Sequence, residues 1–442
     1  MKGFYIGFLF LVFLSHSGNA REIYDLQRVL ETGLENNYDI RIIRNERTIT
    51  DNNAVPGNAG LLPSVDLNAG YNGSLMDTEQ KMVDGETNNR QNIFNQGANI
   101  GINLNWTIFD GFRMQVEYER LKEFQKMGEI STRLSLEDLI STLSAEYYNY
   151  LCQNLRLKNL EYAVALSKER LRIVEERYNI GSMSRLDLQQ ARVDFNSDSS
   201  NLIKQHEIVN TSSIKLNQLM ASDNVYERLV ISDTVITTNF LMDKDVLLRK
   251  TLETNNRLLL SAKNKRLSEL DLKTARSVNY PYLRLNGGYG YTINLYDTEN
   301  SGTTTEKQHN AGFNYGLTLG FSIFDGLNGK RERKNAKIAI RNNELEYEKI
   351  ELSLKADLAN IWMAYQNNIK LLRLEKDNLE VARQNYEIAM ERYRLGDLAG
   401  IELREAQNSL LEAEERLLQA RYNTKLCEIS LLQISGQITS YL

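Results

Sequence analysis

The chain has 442 residues, with 53 lysines and arginines against 58 aspartates and glutamates and a formal charge of −5. That mild acidity excludes a dedicated nucleic-acid binder, whose phosphate contacts need clustered cations. The 2 cysteines and 3 histidines are scattered, and no GxSxG, HExxH, phosphate-loop or CxxC pattern occurs, so the residues point to no cofactor, no metal and no enzyme.

Residues 1–20, MKGFYIGFLFLVFLSHSGNA, read as an export signal. Lys2 precedes an apolar core from Phe4 to Leu14, and Gly18 and Ala20 stand where a signal peptidase expects small residues. The mature chain is expected to begin at Arg21. No later run of 18 apolar residues predicts a membrane helix, which leaves a soluble exported protein or a β-type membrane protein.

Two segments, 63–72 and 98–108, predict the first strands. In the second, Ile100, Ile102, Leu104, Trp106 and Ile108 alternate with Asn99, Gly101, Asn103, Asn105 and Thr107. Such period-two alternation over ten residues gives one apolar and one polar face. Soluble strands average about five or six residues, whereas membrane strands need about 9–11, so the membrane reading is preferred. The polar stretch between them, 73–97, is expected to be a solvated loop. A proline-free segment, 112–178, predicts a helix that would reach on the order of 100 Å. Leu157, Leu160, Val164, Ser167, Leu171, Val174 and Tyr178 follow steps of three and four along it. After a break at NIGSMS, helix 184–220 carries Leu188, Phe195, Leu202, Val209 and Leu216 at seven-residue spacing, the pattern of coiled-coil packing.

The same order then repeats. Strands 281–292 and 311–323 flank a polar loop at 293–310, and helices 327–394 and 400–435 follow. TIFDGF and SIFDGL match at an offset of 215 residues (Asp110 against Asp325), and LLPSVDLNAGY matches NYPYLRLNGGY at 218 (Tyr71 against Tyr289). The second returning helix carries Leu403, Leu410, Leu417 and Leu431, with Ala406, Ala413, Ala420 and Cys427 on the neighbouring seam. The chain therefore divides into a signal (1–20), a first strand-strand-helix-hairpin repeat (21–241) and a second (242–442). Asp110 and Asp325 are expected to cap the long helices, and Gly111 and Gly326 to ease the bend. Gly181 and Gly396 are expected to end helices in the left-handed conformation at two tight turns. Four membrane strands leave two open edges and enclose no lumen, so several chains must pool them.

The phrase IFDG, the turn pattern RYxxGxxxxxxLxxAQ (Arg392, Tyr393, Gly396, Leu403, Ala406 and Gln407, with a partial copy at Arg177, Tyr178, Gly181, Leu188 and Ala191) and the duplicated layout resemble the TolC family of outer-membrane efflux proteins. The resemblance implies an α+β membrane protein that works as a homotrimer. Four strands per chain would make a twelve-stranded barrel in outer-membrane lipid, continued by an antiparallel coiled-coil tunnel across the periplasm. It implies a periplasmic adaptor and an inner-membrane transporter as partners, and a role as the exit duct of an efflux pump or type I secretion system. A passive porin or an exported structural coiled coil are the alternatives. On this resemblance Glu402, Glu405 and Asp187 are the expected channel-entrance acids, with Gln190 in place of a fourth. Tyr393 and Arg185 are expected latch residues. Gly181, Ser182, Met183, Gly396, Asp397 and Leu398 form the expected docking tips, and loops 73–97 and 293–310 are expected to face the exterior.

Overall fold

The computed structural model describes residues 23–239 and 241–442; the expected export signal lies outside them. In chain order the first half contains β1 (Ile23–Tyr24), α1 (Leu26–Asn36), α2 (Tyr38–Asn53), β2 (Ser64–Lys81), β3 (Thr87–Phe109), α3 (Arg113–Asn179), α4 (Arg185–Met220) and β4 (Val230–Ile231). The second contains α5 (Lys244–Thr254), α6 (Asn256–Ser277), β5 (Tyr282–Leu295), α7 (Thr298–Ser301), β6 (Lys307–Gly320), α8 (Asn328–Leu395), α9 (Gly400–Ile434) and a 3₁₀ turn at Ile438–Tyr441. Two compact units cut across the sequence repeats. One holds Ile42–Leu134 and Thr254–Ser353; the other holds the chain through Arg41, Ser135–Glu253 and Leu354–Leu442.

The first unit is built on an antiparallel sheet of order β2-β3-β5-β6. Its register follows from the alternation. Leu67, Ile102, Tyr289 and Phe313 stand in one row across all four strands, and Asp66, Asn103, Gly288 and Asn314 in the next. Apolar and polar rows thus alternate, as one face for hydrocarbon and one for water require. Leu67, Ile102, Tyr289, Phe313, Leu317 and Leu319 are each more than half exposed. Among the described residues β2 and β6 each have one unpaired edge.

Three strand expectations need correction. Residues 73–81 and 87–97 are strand rather than loop, so β2 and β3 run for 18 and 23 residues. The turn between them is confined to 82–86, closed by Met82 N–H donating to Glu86 O at 2.8 Å, with Gly85 at φ +91°. In the second hairpin the strands continue to Leu295 and begin at Lys307, and β6 ends at Gly320, so Phe321, Ser322 and Ile323 lie beyond it. α1, α2, α5 and α6 are further elements that the strand-and-hairpin reading did not resolve.

The duplicated phrase makes a duplicated corner. Asp110 Oδ1 accepts from Met114 N–H at 3.1 Å, and Asp325 Oδ2 from Gly329 N–H at 2.7 Å. Gly111 and Gly326 are left-handed, at φ +75° and +68°. So are the residues that follow, Phe112 at +68° and Leu327 at +66°, a conformation that side chains normally avoid. Two successive left-handed residues turn each strand into its helix. A Cβ on Gly111 would stand 2.4 Å from Ser277 O, so only glycine fits there.

In the other unit, β1 and β4 pair in parallel, and the far portions of α3 and α8 pack with α4 and α9. Leu188, Val209 and Leu216 of α4 and Leu403, Leu410, Leu417 and Leu431 of α9 are buried, as are Ala406, Ala413 and Ala420. The matching seam of α4 is polar. Ala191 is followed at seven-residue spacing by buried Asp198, Gln205 and Ser212, each of which finds a partner: Arg404, Gln153 and Glu146. Burial pushes the Cys152 thiol up to about 11 and raises that of Cys427, so neither is a ready thiolate at neutral pH.

Candidate functional site: the paired helical hairpin tips

α3 and α8 end in the same way. Ser182 N–H donates to Arg177 O at 2.9 Å and Gly181 N–H to Tyr178 O at 2.9 Å; Asp397 N–H donates to Arg392 O at 2.9 Å and Gly396 N–H to Tyr393 O at 3.1 Å. These paired bonds around a left-handed glycine (φ +79° at Gly181, +92° at Gly396) satisfy the last helical carbonyls. A Cβ on either glycine would meet nothing within 4 Å, so backbone conformation alone calls for glycine.

The returning helices begin with acid caps. Asp187 Oδ2 accepts from Ser184 N–H at 3.2 Å and from Ser184 Oγ–H at 2.7 Å, while Asp187 N–H donates back to Ser184 Oγ at 3.2 Å. This reciprocal capping box fixes the start of α4. At the N-cap of α9 alanine stands where α4 has serine, and Glu402 Oε2 accepts from Ala399 N–H at 3.2 Å. Two expected entrance acids therefore also hold their own helix starts, where negative charge is favoured. Glu405 is exposed one turn further along α9. Ser182 and Asp397 are exposed in the turns, with Met183 and Leu398 half-buried against the tip core.

That core gathers Val174, Leu188, Ala191, Tyr386, Ala389, Tyr393, Leu403, Ala406 and Leu410 from both hairpins. The two expected latch residues, Tyr393 and Arg185, are not brought into contact with each other among the described residues. Tyr393 is fully buried, Arg185 is exposed at the first position of α4, and no hydrogen bond joins them among the described residues. Arg177 takes the place instead. Its guanidinium lies 5.2 Å from the Tyr393 ring centroid and donates to the carbonyls of Tyr393 at 3.1 Å and Arg394 at 3.0 Å. A cation thus caps the end of α8 from the other hairpin.

Ion pairs that no motif announced continue inward from the tip. Arg170 of α3 pairs with Asp194 of α4, Arg404 of α9 grips Asp198 with two bonds of 2.7 Å, and Arg156 of α3 holds Glu415 of α9. The seven-residue spacing of Asp198 and Gln205 was the available signal, but it reads as an interruption until Arg404 is seen opposite. Desolvation is the main force on Arg170, lowering its pKa, whereas the Asp198 bond raises that of Arg404.

Glu414 on α9 is the exception. Its Oε2 is buried without a hydrogen-bond partner, and burial raises its pKa against the pull of Arg383. A carboxyl with a raised folded pKa holds its proton better folded than unfolded. Its contribution is full below the unfolded carboxylate range, about 4.3, and is lost as pH rises through the folded value. Glu414→Gln is expected to melt higher than the unaltered protein at pH 8 and to shrink its own difference between pH 5 and pH 8. Identical pH profiles in thermal melts of the two proteins would remove the explanation.

Two long strand hairpins, two capped helical hairpins and a duplicated layout match one known family. The family described as outer membrane efflux protein matches residues 29–222 and 247–437. The chain belongs to the outer membrane efflux protein family. Among individual relatives it is similar to the outer membrane protein TolC of Vibrio cholerae, 21% identical over 427 residues, covering 95% of this chain and 91% of that one. It is also similar to TolC of Escherichia coli, 20% identical over 438 residues, covering 96% and 83%. The fold matches the CmeC outer membrane channel of Campylobacter jejuni with a TM-score of 0.77 at 19% identity, covering 93% of this chain and 85% of that one. The open state of the MtrE channel of Neisseria gonorrhoeae gives 0.73 at 17% identity, covering 93% and 88%. As a member of this family the chain is an outer-membrane channel protein, α+β in fold, and the resemblance drawn from IFDG and RYxxG is upheld. No helix among the described residues is long and apolar enough to cross a membrane. The strands are the spanning elements.

Proposed function

We propose that three copies of this chain form the exit duct of a tripartite efflux pump or type I secretion system, carrying cargo from the periplasm or an inner-membrane transporter to the exterior. The observation that carries this reading is the four-stranded sheet, with alternating faces and two unpaired edges, in one chain with two capped helical hairpins. A passive porin needs only the sheet and a structural spacer only the helices. Purified protein reconstituted in a planar bilayer is expected to conduct ions as a trimer, and loss of the gene product to abolish export by its pump. A non-conducting trimer would defeat the duct.

The turns at 178–185 and 393–400 are the proposed adaptor-docking surface. Their support is duplicated turn geometry with exposed Ser182 and Asp397 at the apices. Ser182→Trp and Asp397→Trp are expected to lower export at least about tenfold while trimers persist, since a bulky side chain in a docking contact excludes its partner. Export at the normal rate in both variants would dismiss the surface.

Three copies of Asp187, Glu402 and Glu405 are proposed to ring the periplasmic entrance. Clustered carboxylates in a narrow opening favour cations. Glu402→Gln with Glu405→Gln is expected to shift the single-channel reversal potential in a salt gradient toward zero. Asp187, which also closes the capping box, is left intact in this test. An unmoved reversal potential in intact trimers would exclude the ring.

A further inference from the structure

The second strand-to-helix corner carries a run of cations that the corner itself does not need. Lys330, Lys334 and Lys337 are exposed at the start of α8, and none has an ion pair or hydrogen bond among the described residues. At about 100° per residue the three fall within a sector of about 60° on the helix. Further along, Arg341 is already paired with Glu344 and Glu348, so the free cations stop there. The first repeat builds the same corner with Gln115, Glu119 and Lys122 at the matching positions, and Glu119 is paired with Arg266 and Lys273. Folding the corner therefore does not explain the lysines.

Their surroundings say what they meet. The exposed apolar row of β6, Phe313, Tyr315, Leu317 and Leu319, continues into exposed Phe321, Ile323 and Phe324 directly above them. A rise of about 1.5 Å per residue puts the lysines about 3, 9 and 14 Å below the first residue of α8, Asn328. The headgroup layer under the hydrocarbon is about 5–8 Å deep, within reach of the first two and of the long side chain of the third. Chirality turns the sector outward. A Cβ on Gly101 would stand 3.2 Å from Gly290 Cα, the close approach of a pair that is not hydrogen bonded, so Ile102 bonds toward β5. With Ile102 on the lipid face of a descending strand, β5 and β6 follow clockwise as seen from the outer end. α6, joined to α8 by Ser268–Asn343 and Lys265–Glu344, is then the anticlockwise neighbour of α8. A right-handed helix descending there turns the three lysines away from the lumen and Glu332 and Asn335 toward it. We propose that Lys330, Lys334 and Lys337 seat the phosphate groups of anionic phospholipid in the periplasmic leaflet, continuous with the lipid-facing surface of β6. The site goes beyond the duct reading and rests only on the channel's place in the outer membrane.

Native mass spectrometry of the purified full-length protein tests this with dioleoylphosphatidylglycerol against dioleoylphosphatidylcholine. The anionic lipid is expected to bind at least about tenfold more tightly, since each cation near an anionic surface contributes about fivefold. Lys330→Gln, Lys334→Gln and Lys337→Gln together are expected to remove that preference, and the three Lys→Arg replacements to keep it. Lys349→Gln, Lys370→Gln and Lys376→Gln, which take the same charge from lower positions on α8, are expected to leave it unchanged. Equal binding of the two lipids, or the same loss in both glutamine triples, would overturn the proposal. The direction of the face is read separately. In a Cys152→Ser, Cys427→Ser background, bimane on Lys334→Cys is expected to be quenched more strongly by nitroxide-headgroup phosphatidylcholine in vesicles than bimane on Asn335→Cys. Quenching no stronger at 334 than at 335 would put the lysines on the lumen and overturn the lipid seat.

Discussion

Replacing Glu428 with alanine is expected to destabilise the protein by about 3–5 kcal/mol, the cost of leaving a buried charge without its partner. Glu428 and Lys425 lie one turn apart on α9, each with a side chain only 6% exposed, and Lys425 Nζ donates to Glu428 Oε1 at 2.8 Å. Lys425 is also held between two rings, 5.0 Å from the centroid of Tyr148 and 5.3 Å from that of Tyr441. Glu428 has two further duties. Its Oε2 accepts from Asn239 N–H at 2.9 Å in the segment joining the repeats, and its Oε1 accepts from Tyr441 O–H at 2.9 Å in the C-terminal turn. Alanine would therefore strand one cation and two donors at once. Thermal melts should show a large fall, and limited proteolysis should release the C-terminal turn first. Adding Lys425→Met should restore part of the loss, because the desolvated charge is then gone. A single Glu428→Ala variant within about 1 kcal/mol of the unaltered protein would mean that the cluster is hydrated and not a clasp.

The chemistry of Glu428 also marks where sequence reading stops. The strand cores were legible because one face must be apolar, and Ile100, Ile102 and Leu104 announce it without reference to any partner. The outer halves, 73–81 and 87–97, carry Asp77, Glu79, Asn88 and Asn89, whose composition says loop; only the hairpin partner across the ladder makes them strand. Gly181 and Gly396 were legible at the tips because left-handed backbone is written in a single residue. Arg177 was not, since its value lies in two carbonyls 216 and 217 positions away. The polar seam of α4 failed for the same reason. Asp198 and Gln205 look like breaks in a heptad pattern until Arg404 and Gln153 stand opposite. Local geometry is readable from neighbours in sequence, whereas buried polar pairing depends on what another helix brings.

Cysteines at Tyr71 of one chain and Leu317 of another are expected to form an intermolecular disulfide, and the register can be named in advance. The two strand hairpins are copies in detail. Leu67 stands opposite Ile102 in the first, and their equivalents under the two repeat offsets, Leu285 and Leu317, stand opposite each other in the second. The ladder between the repeats is β3 on β5, with Ile102 opposite Tyr289. Its missing counterpart is β6 on the β2 of a neighbouring protomer. Carrying the same offsets over puts Leu317 opposite Tyr71 of the partner subunit, and Asn314 opposite Ser74 of the partner subunit. This register places an exposed apolar side chain beside another and a polar one beside another, whereas a slip of one residue would mix the faces. Lys307 and Lys81 also come level at the outer ends, so the two strands finish together. Opposed residues alternate between two spacings along an antiparallel ladder, and the two pairs differ by an odd step, so one of them sits at the closer spacing suited to a disulfide. In a Cys152→Ser, Cys427→Ser background, at least one of the pairs Tyr71→Cys/Leu317→Cys and Ser74→Cys/Asn314→Cys should give covalent oligomers on a non-reducing denaturing gel. The shifted pair Gly73→Cys/Leu317→Cys should give far fewer. Protein recovered only as monomer would refute assembly through these edges. Intact trimers that cross-link only in the shifted pair, or in none, would keep the assembly and refute the register.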